Sequence, residues 1–557
     1  MMEENSMPFC AAGKHAFPPR AHATMHAHKQ ADAIAAYAFL SQGYVLPLLG
    51  HASSALIPLL VFAVAVLWMA LVLRRAPKKQ QQQVQEEGAW VRPLRNVPEV
   101  VSAVGLLFGT FNITNVLWLT SPHPITHHHV RLALTQVAQK VELMQLAVVW
   151  RRLWPWFRRM AHLEVDLEVE DDDPLEVCSR ELHAPYNWSR GPLWRARLVP
   201  LEPSGPGQYR AALVFSVHHV ISDGTTNLLI EKDLLQALNA AATGCSPNLP
   251  SRYLAPALGS RTAAASRYWL PSLGFVLAAI RAAFTTAFSA RSALKHLPRP
   301  GPVKPLTKIL MHEFSAEETR QLLAHFRAAG LRVHSCVTAV AGLALHRTAQ
   351  QFTSLRLGPM QVIQEQAVNM RRYHPQHSEG LGSMAFLTTQ QHSVRDGSDT
   401  FWPLAHEIQD KLDRSLEVTR APLRTGSLGW LCSAIIPMNL VLARLGCTSF
   451  SYSHICTSNM GDLRRIFGEN AGGGGGRPVQ LSGLLRTAAC ELVGNLCSIN
   501  FQTLEGRLTL SLDYYTNKMT DEAGQTYFTQ LIHVLTELAA RGVPPPSTAH
   551  RAGDGND

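Results

Sequence analysis

The chain has few charged residues and no paired cysteines. Asp, Glu, Lys and Arg make up only 17% of its 557 residues, whereas hydrophobic residues make up 46%. This balance excludes a mainly disordered chain, because such chains are rich in charge and poor in apolar side chains. The nine cysteines form no Cys-x-x-Cys pair, so neither a disulfide framework nor a zinc ribbon is indicated. The sequence is therefore that of a globular protein with a reduced core.

The usual motifs of nucleic-acid, nucleotide and metal sites are also missing. We find no RNP, KH or zinc-finger pattern, and the glycine run at 472–476 lacks the Lys and Ser/Thr of a P-loop. We interpret His15, His22, His26 and His28 as part of a solvated, low-order N-terminal tail and not as a metal site. We expect no metal ion and no nucleic-acid partner. The net charge of +10 suits an anionic membrane face or a phosphorylated ligand.

One long uncharged run lies near the N-terminus. Residues 52–73 read ASSALIPLLVFAVAVLWMALVL, which is long enough as a helix to cross a bilayer. Arg74, Arg75, Lys78 and Lys79 follow at once, so the positive-inside rule predicts that everything after the run is cytosolic. We therefore expect a single-pass protein of the endoplasmic reticulum or another endomembrane. A second apolar segment at 33–50 could instead form a membrane hairpin with this run. That alternative changes the side of the membrane on which the N-terminal tail lies, but not the side of the body.

The composition divides the chain into an anchor and a soluble body. We predict an N-terminal tail at 1–51, a transmembrane helix at 52–73 and a basic, Gln-rich linker at 74–91. The body mixes β-branched runs with amphipathic helical patterns, which is typical of an α/β or α+β fold. A basic, proline-rich segment near 300 separates two similar halves, at 92–300 and 301–545, and a disordered tail at 546–557 completes the chain.

Local signals predict several elements of the body. Thr126 is a candidate N-cap for a helix, and Ser315 with Glu318 forms a capping box for another that should end near Gly330. The runs at 110–120, 191–200 and 209–217 predict strands. The acidic stretch at 163–173 predicts an edge strand. A hairpin turning at residues 505–506 and a last helix that follows Thr520 are predicted near the C-terminus.

The strongest chemical signal is the heptapeptide HHVISDG at residues 218–224, directly after the apolar run LVFSV. Neighbouring side chains on a strand point in opposite directions, so one of His218 and His219 can reach a reaction cavity while the other packs or forms hydrogen bonds. Asp223 follows a few residues later, where its carboxylate can organise the turn. Gly224 lets the backbone turn tightly.

This sequence resembles the HHxxxDG superfamily of CoA-dependent acyltransferases, which includes chloramphenicol acetyltransferase, condensation domains, alcohol acetyltransferases and wax ester synthases. Besides the heptapeptide, GPLWRARLV at 191–199 matches the strand that precedes the motif in relatives. VNMRRY at 368–373 and TSNMGDL at 457–463 resemble the arginine-bearing strand and the Ser-Asn-x-Gly element. The plant-type DFGWG motif is missing. The resemblance implies two chloramphenicol-acetyltransferase-like lobes, each a mixed sheet packed with helices.

The resemblance also implies roles for individual residues. His219, with His218 beside it in the catalytic motif, is expected to be the general base that takes a proton from the acceptor. Asp223 is expected to be structural, forming a buried ion pair with Arg371, and Gly224 to keep the backbone close to the cavity. Ser458 and Asn459 are candidates for substrate or oxyanion contacts, although Asn459 fits a turn-stabilising residue equally well.

The expected activity is transfer of an acyl group from acyl-CoA, acting as a co-substrate, to an alcohol or, less favoured, an amine. The protein should hold no tightly bound cofactor, and membrane lipid is an expected partner. Two alternatives stay open: a condensation-type enzyme that takes the acyl group from a carrier protein, and a noncatalytic, membrane-tethered lipid-binding relative. The apolar segments at 274–290 and 428–446 are either buried helices or interfacial helices.

Overall fold

A computed structural model of the chain describes residues 89–541, except for 95–96, 152–153, 257–294, 302, 374–379, 398, 420–452, 469–477 and 491–494. The described residues all belong to one compact unit, Val64–Asp557. The predicted span at 52–73, the second apolar segment at 33–50 and the apolar segments at 274–290 and 428–446 lie outside the described residues. Within the described part, no single helix has both the length and the apolarity to cross a membrane.

Fourteen strands of the described chain form three sheets. The first sheet has the order β12-β2-β7-β6-β5, the second sheet has the order β10-β9-β11-β13-β14-β8, and a small sheet has the order β1-β4-β3. The strands are β1 Trp90–Pro93, β2 Asn112–Ser121, β3 Leu146–Arg151, β4 Trp154–Arg159, β5 Leu167–Val169, β6 Trp194–Gly205, β7 Gln208–His218, β8 Thr307–Glu313, β9 Met360–Asn369, β10 Ala385–Val394, β11 Ile455–Asp462, β12 Gln480–Ala488, β13 Cys497–Leu504 and β14 Arg507–Tyr515.

The helices pack on the faces of the two larger sheets. Those described are α1 Val97–Phe108, α2 His127–Lys140, α3 Pro174–His183, α4 Gly224–Ala242, α5 Ala316–Ala328, α6 Val333–Gln351, α7 Phe401–Thr419, α8 Arg464–Phe467 and α9 Asp521–Arg541. Helices α2 and α4 share one hydrophobic core with the first sheet. Helices α5, α6, α7 and α9 share a second core with the second sheet.

Both larger sheets are mixed, as the resemblance implies. In the first sheet β5 and β6 are parallel, whereas β6, β7, β2 and β12 follow one another in antiparallel pairs. In the second sheet β9, β11 and β13 are parallel, and the outer pairs are antiparallel. The mixed α/β fold class predicted from the sequence is therefore confirmed.

The local predictions are also confirmed. Thr126 and Ser315 each cap a helix with a reciprocal capping box, and α5 ends at Ala328, next to the predicted stop at Gly330. Strand β5 lies at the edge of the first sheet. The hairpin of β13 and β14 turns through Glu505 and Gly506, which both have positive φ, at 51° and 74°. Such angles are what a tight turn between twisted strands requires.

One strand crosses from the second half of the chain into the first sheet. Strand β12, at 480–488, pairs with β2, and Arg486 lies opposite Asn115 in their register. Leu481 and Leu484 of this strand belong to the same hydrophobic core as Ile113 and Leu117 of β2. The first sheet is therefore completed by residues that follow its other strands by more than 250 positions.

Candidate active site

The heptapeptide 218–224 joins β7 to α4. Strand β7 ends at His218, a short turn follows, and the Asp223 side chain caps the first turn of α4 by accepting a hydrogen bond from the Thr226 N–H at 2.8 Å. Asp223 and Gly224 therefore follow a short turn after the strand, as the sequence suggested. They begin a helix, because a carboxylate is a favourable N-cap.

His218 is a buried residue whose two ring nitrogens are both satisfied by the main chain. Its Nδ1 accepts from the Val220 N–H at 3.1 Å, so Nε2 carries the proton and donates to the Thr110 carbonyl oxygen at 2.9 Å. The Tyr186 ring packs edge-on against it, with ring centroids 6.0 Å apart. Burial lowers the pKa of His218 to about 3, although the hydrogen bond to Thr110 acts in the opposite direction. This ring is neutral and has no free nitrogen for chemistry.

His219 is half-buried and differs from its neighbour in its contacts. Its main-chain N–H donates to the Phe111 carbonyl oxygen at 2.9 Å, and the ring packs edge-on against the Phe111 ring. The Ser383 hydroxyl lies 3.2 Å from Nδ1. None of the described residues forms a hydrogen bond with Nε2. Burial lowers the pKa of His219, and a hydrogen bond between the ring and the main chain of the same residue acts in the opposite direction. The positive charge of Arg486 lowers the pKa further.

Asp223 and Arg371 form a buried ion pair. The Arg371 Nη1 donates to Asp223 Oδ2 at 2.8 Å, and both side chains are 5% exposed or less. Burial alone would raise the pKa of Asp223, but the Arg371 charge and the N–H groups of Thr226 and Met384 outweigh it and lower the pKa. The carboxylate therefore stays ionised. Arg371 lies in a 3-10 turn at Met370–Tyr373, after the strand in which the sequence placed it.

The ion pair also fixes the segment that carries Ser383. The Met384 N–H donates to Asp223 Oδ2 at 2.8 Å, and the Arg371 guanidinium donates to the carbonyl oxygens of Gly380 and Gly382. The Thr226 hydroxyl of α4 donates to the Gly382 carbonyl oxygen at 2.9 Å. These bonds tie the main chain on both sides of Ser383 to α4. The Ser383 hydroxyl is consequently held against the His219 ring.

A glycine is needed at position 224 because a larger side chain would clash with its neighbours, and not because of its backbone angles. It is the first residue of α4, and a Cβ built on it would lie 2.7 Å from Met460 Sδ and 3.2 Å from Arg486 Cζ. Strands β11 and β12 thus bring these two side chains against the start of α4. Arg486 is 7% exposed, and its Nη1 donates to the Ser458 Oγ at 3.1 Å.

Ser458 and Asn459 lie on β11 and have different environments. Ser458 is buried and accepts the hydrogen bond from Arg486. Asn459 is exposed, and its Oδ1 accepts from the Gly461 N–H at 2.8 Å. This contact is the turn-stabilising role that the sequence left open. No described hydrogen bond joins either residue to His219.

Two buried carboxyl groups lie within electrostatic reach of Arg486. Burial raises the pKa of Glu231 to about 8, and it raises the pKa of Asp513 to about 7. Each has one oxygen without a hydrogen-bond partner among the described residues. In the described part of the chain, no group of three or more His, Cys, Asp and Glu side chains is arranged to hold a metal ion.

The structure thus brings His219, Asp223, Gly224 and Arg371 together, as the sequence motif indicates. Sequence reasoning missed Ser383 and Arg486. Neither belongs to the heptapeptide, and only long-range pairing brings them to it. A weak signal existed for Arg486, because an isolated arginine in the apolar run QLSGLLRTA at 480–488 is unusual in a strand.

The arrangement of the two mixed sheets identifies the fold of the protein. Its fold is that of the acyltransferases and condensation domains. The structure resembles trichothecene 15-O-acetyltransferase TRI3 from Fusarium sporotrichioides, with a TM-score of 0.56 and 12% identity over 80% of this chain and 95% of that one. It is also similar to the first condensation domain of the calcium-dependent antibiotic synthetase, with a TM-score of 0.56 and 17% identity over 82% and 98%.

A third similar structure is the starter condensation domain of rhizomide synthetase, solved with C8-CoA and Leu-SNAC, with a TM-score of 0.50 and 14% identity over 82% and 96%. These similarities confirm the resemblance to the CoA-dependent acyltransferase superfamily at the level of the fold.

Comparison with curated proteins finds short matches to peptide synthetases. The chain is 35% identical over 83 residues, 15% of its length, to cyclosporin synthetase simA of Tolypocladium inflatum. It is 34% identical over 92 residues, 16% of its length, to phosphinothricin tripeptide synthetase PhsC of Streptomyces viridochromogenes. In whole per cent, the matched residues make up 0% of cyclosporin synthetase and 8% of phosphinothricin tripeptide synthetase. The chain therefore spans only a small part of either relative. No family model matches the chain.

Proposed function

We propose that the protein is an acyltransferase that transfers an acyl group from a thioester to a hydroxyl acceptor, with His219 as the general base. The observation that carries the proposal is the contrast between the two adjacent histidines. His218 uses both ring nitrogens in main-chain hydrogen bonds, whereas His219 is half-buried and keeps Nε2 free of described partners.

The protonation of His219 suits this role. A neutral His219 ring that carries its proton on Nδ1 leaves the lone pair of Nε2 for the acceptor hydroxyl. Because burial and the nearby Arg486 lower the pKa, the ring is neutral at pH 7 and ready to accept a proton. Asp223 is ionised and bound to Arg371, so it organises the loop and is not the base.

We propose acyl-CoA as the donor and a lipophilic alcohol as the preferred acceptor, with an amine less favoured. The resemblance to the acyltransferases and the C8-CoA complex of a protein with the same fold support a CoA thioester, and the similarity to an O-acetyltransferase supports an oxygen acceptor. The short matches to peptide synthetases favour a second candidate, a condensation-type enzyme that uses a carrier-protein thioester. We further propose a membrane-anchored protein with a cytosolic body, on the basis of the uncharged run at 52–73 and the basic residues after it.

The test is release of CoA thiol by the purified full chain from acetyl-, octanoyl- and palmitoyl-CoA, in the presence of a panel of alcohols and amines, with the acyl product identified by mass spectrometry. We expect turnover without a carrier protein. Absence of turnover with every CoA donor, together with turnover of a carrier-bound acyl group, would establish the second candidate.

His219→Ala should lower kcat by about 10²- to 10⁴-fold, the usual contribution of a general base. The matched control is His533→Ala, because His533 is an exposed histidine of α9, far from the motif in sequence. It should retain full activity, and both variants should retain the melting temperature of the wild type. Equal activity of His219→Ala and the control would contradict the proposed role of His219, whereas a wild type without any activity would favour the noncatalytic alternative.

A further inference from the structure

In the part of the chain that the structure describes, Arg486 is a buried cation without a carboxylate partner. Of the four other buried arginines among the described residues, Arg195, Arg197 and Arg371 each have a carboxylate oxygen within 3.0 Å. Among the described residues, Arg486 donates only from Nη1, to Ser458 and Asn500, and its buried Nε has no partner. Both of these acceptors are neutral. A buried charge ordinarily has a partner of opposite charge, because desolvation is otherwise too costly.

The acidic groups around Arg486 do not supply that partner. Asp223 accepts its ionic hydrogen bond from Arg371. Burial raises the pKa of Glu231 to about 8, so this carboxyl group is mainly protonated at neutral pH. Burial also raises the pKa of Asp513 to about 7, and its Oδ2 is occupied by the Ala488 N–H and the Asn500 amide. The interior next to α4 therefore keeps a positive charge that these neighbours balance only in part.

This charge lies beside the proposed general base. A Cβ atom built on Gly224 would lie 3.2 Å from the Cζ atom of Arg486. Gly224 follows His219 by five residues. The charges that act on the His219 ring are those of Arg486 from β12, Asp223 from the start of α4 and, on protonation, its neighbour His218 from β7. The charge of Arg486, on β12, therefore acts on His219, which directly follows β7.

We propose that Arg486 is a second catalytic residue of this site, whose unpaired guanidinium N–H groups bind the carbonyl oxygen of the thioester and stabilise the negative charge that forms on it. The inference rests on the proposed acyl transfer. It explains why a strand from the second half of the chain carries a buried arginine into the first sheet.

The reaction would proceed in two steps. The acceptor oxygen forms a bond to the carbonyl carbon, its proton passes to Nε2 of His219, and the carbonyl electron pair moves onto the oxygen beside Arg486. The oxyanion then re-forms the carbonyl bond, the C–S bond breaks, and the thiolate takes the proton from His219. An ester and a free thiol result. Donors that are already oriented toward a developing oxyanion are worth far more than the same donors in water.

The experiment compares the full-length wild type with Arg486→Met and Arg486→Lys in the octanoyl-CoA thiol-release assay, with an accepted alcohol. Loss of an oxyanion donor typically lowers kcat by about 10²- to 10³-fold, and we expect this for Arg486→Met, with little change in KM for the thioester or the alcohol. Arg486→Lys keeps the charge and should recover part of the loss. Asn500→Ala removes one hydrogen-bond acceptor and leaves the charge, so its kcat should fall by less than about tenfold.

A second readout separates catalysis from a structural role. Because the positive charge of Arg486 lowers the pKa of His219, Arg486→Met should raise it, and the acid limb of the pH profile of kcat/KM should move to higher pH. The same shift should appear in an NMR titration of histidine Cε1 resonances, assigned by the His219→Gln variant. Asn500→Ala should leave both unchanged.

Three outcomes would overturn the proposal. An Arg486→Met variant as active as the wild type contradicts it. The proposal is also contradicted if Arg486→Met loses activity and has a lower melting temperature while the pKa of His219 does not change. That result indicates that Arg486 has a structural role. A large rise in KM for the alcohol, with kcat retained, assigns Arg486 to acceptor binding instead. A wild type that turns over no thioester contradicts the proposed function itself, and the NMR arm still reports whether Arg486 acts on His219.

Discussion

At the scale of single residues, the sequence motif locates the site but does not say which histidine reacts. Both histidines are part of the same heptapeptide, and strand alternation alone leaves the choice open. The difference becomes visible only through their partners, because the Thr110 carbonyl and the Val220 N–H engage one ring, whereas Ser383 and Phe111 contact the other. Apart from Val220, those partners come from distant positions and have no local signature.

The ion pair of Asp223 and Arg371 permits a prediction about stability. Asp223→Ala leaves a buried guanidinium without its carboxylate, which should lower the free energy of unfolding by about 3–5 kcal/mol. The matched control is Asp172→Ala, because Asp172 pairs with Arg180 at the surface, where loss of a pair costs about 0–1 kcal/mol. Urea unfolding at pH 7 measures both. A loss for Asp223→Ala no larger than that of the control would show that the pair is not needed for stability.

At the scale of elements, Gly224→Ala tests the approach of β11 and β12 to α4. The added methyl group would lie 2.7 Å from Met460 Sδ and 3.2 Å from Arg486 Cζ, so both side chains must move. Alanine suits a helix better than glycine, and the flexible Met460 can shift, so the melting temperature should change little. The kcat should fall by about tenfold, which corresponds to about 1.4 kcal/mol in the barrier.

The control for this prediction is Gly205→Ala, because a Cβ at Gly205 meets nothing within 4 Å and its φ is not positive. It should keep the activity of the wild type. Adding Met460→Ala to Gly224→Ala should not restore full activity if displacement of Arg486 causes the loss. Full recovery would assign the loss to Met460 alone.

Elements with local signals were predictable, and those set by distant pairing were not. The caps at Thr126 and Ser315 and the turn at 505–506 are encoded within a few residues, and each lies where the sequence indicated. The pairing of β12 with β2 joins positions about 370 residues apart, so no local pattern reveals it. Ser383 and Arg486 were missed for the same reason.

At the scale of the whole molecule, the proposed cytosolic body can be tested by glycosylation. The sequence has two sequons, Asn112-Ile-Thr and Asn187-Trp-Ser, and a cytosolic body leaves both unmodified. Asn112 is 1% exposed in β2 and its amide donates to the Ala184 carbonyl, so the folded protein would leave it bare on either side of a membrane. Asn187 is exposed and is therefore the informative sequon.

We expect mass spectrometry of protein from a eukaryotic host to show no glycan at Asn187. A glycan there would contradict the proposed orientation. As a control, His22→Asn creates the sequon Asn-Ala-Thr in the predicted tail. A single span would place this tail in the lumen and allow a glycan, whereas a hairpin formed with 33–50 would leave it unmodified.

The late position of β12 has a consequence for how the protein is made. A ribosome that has synthesised the first 479 residues has released four of the five strands of the first sheet, with the edge of β2 still open. Exposed edges of this kind invite pairing with other chains. The edge of β2 therefore stays open until residues 480–488 have left the ribosome, and because the same strand carries Arg486, the proposed site stays incomplete until that moment.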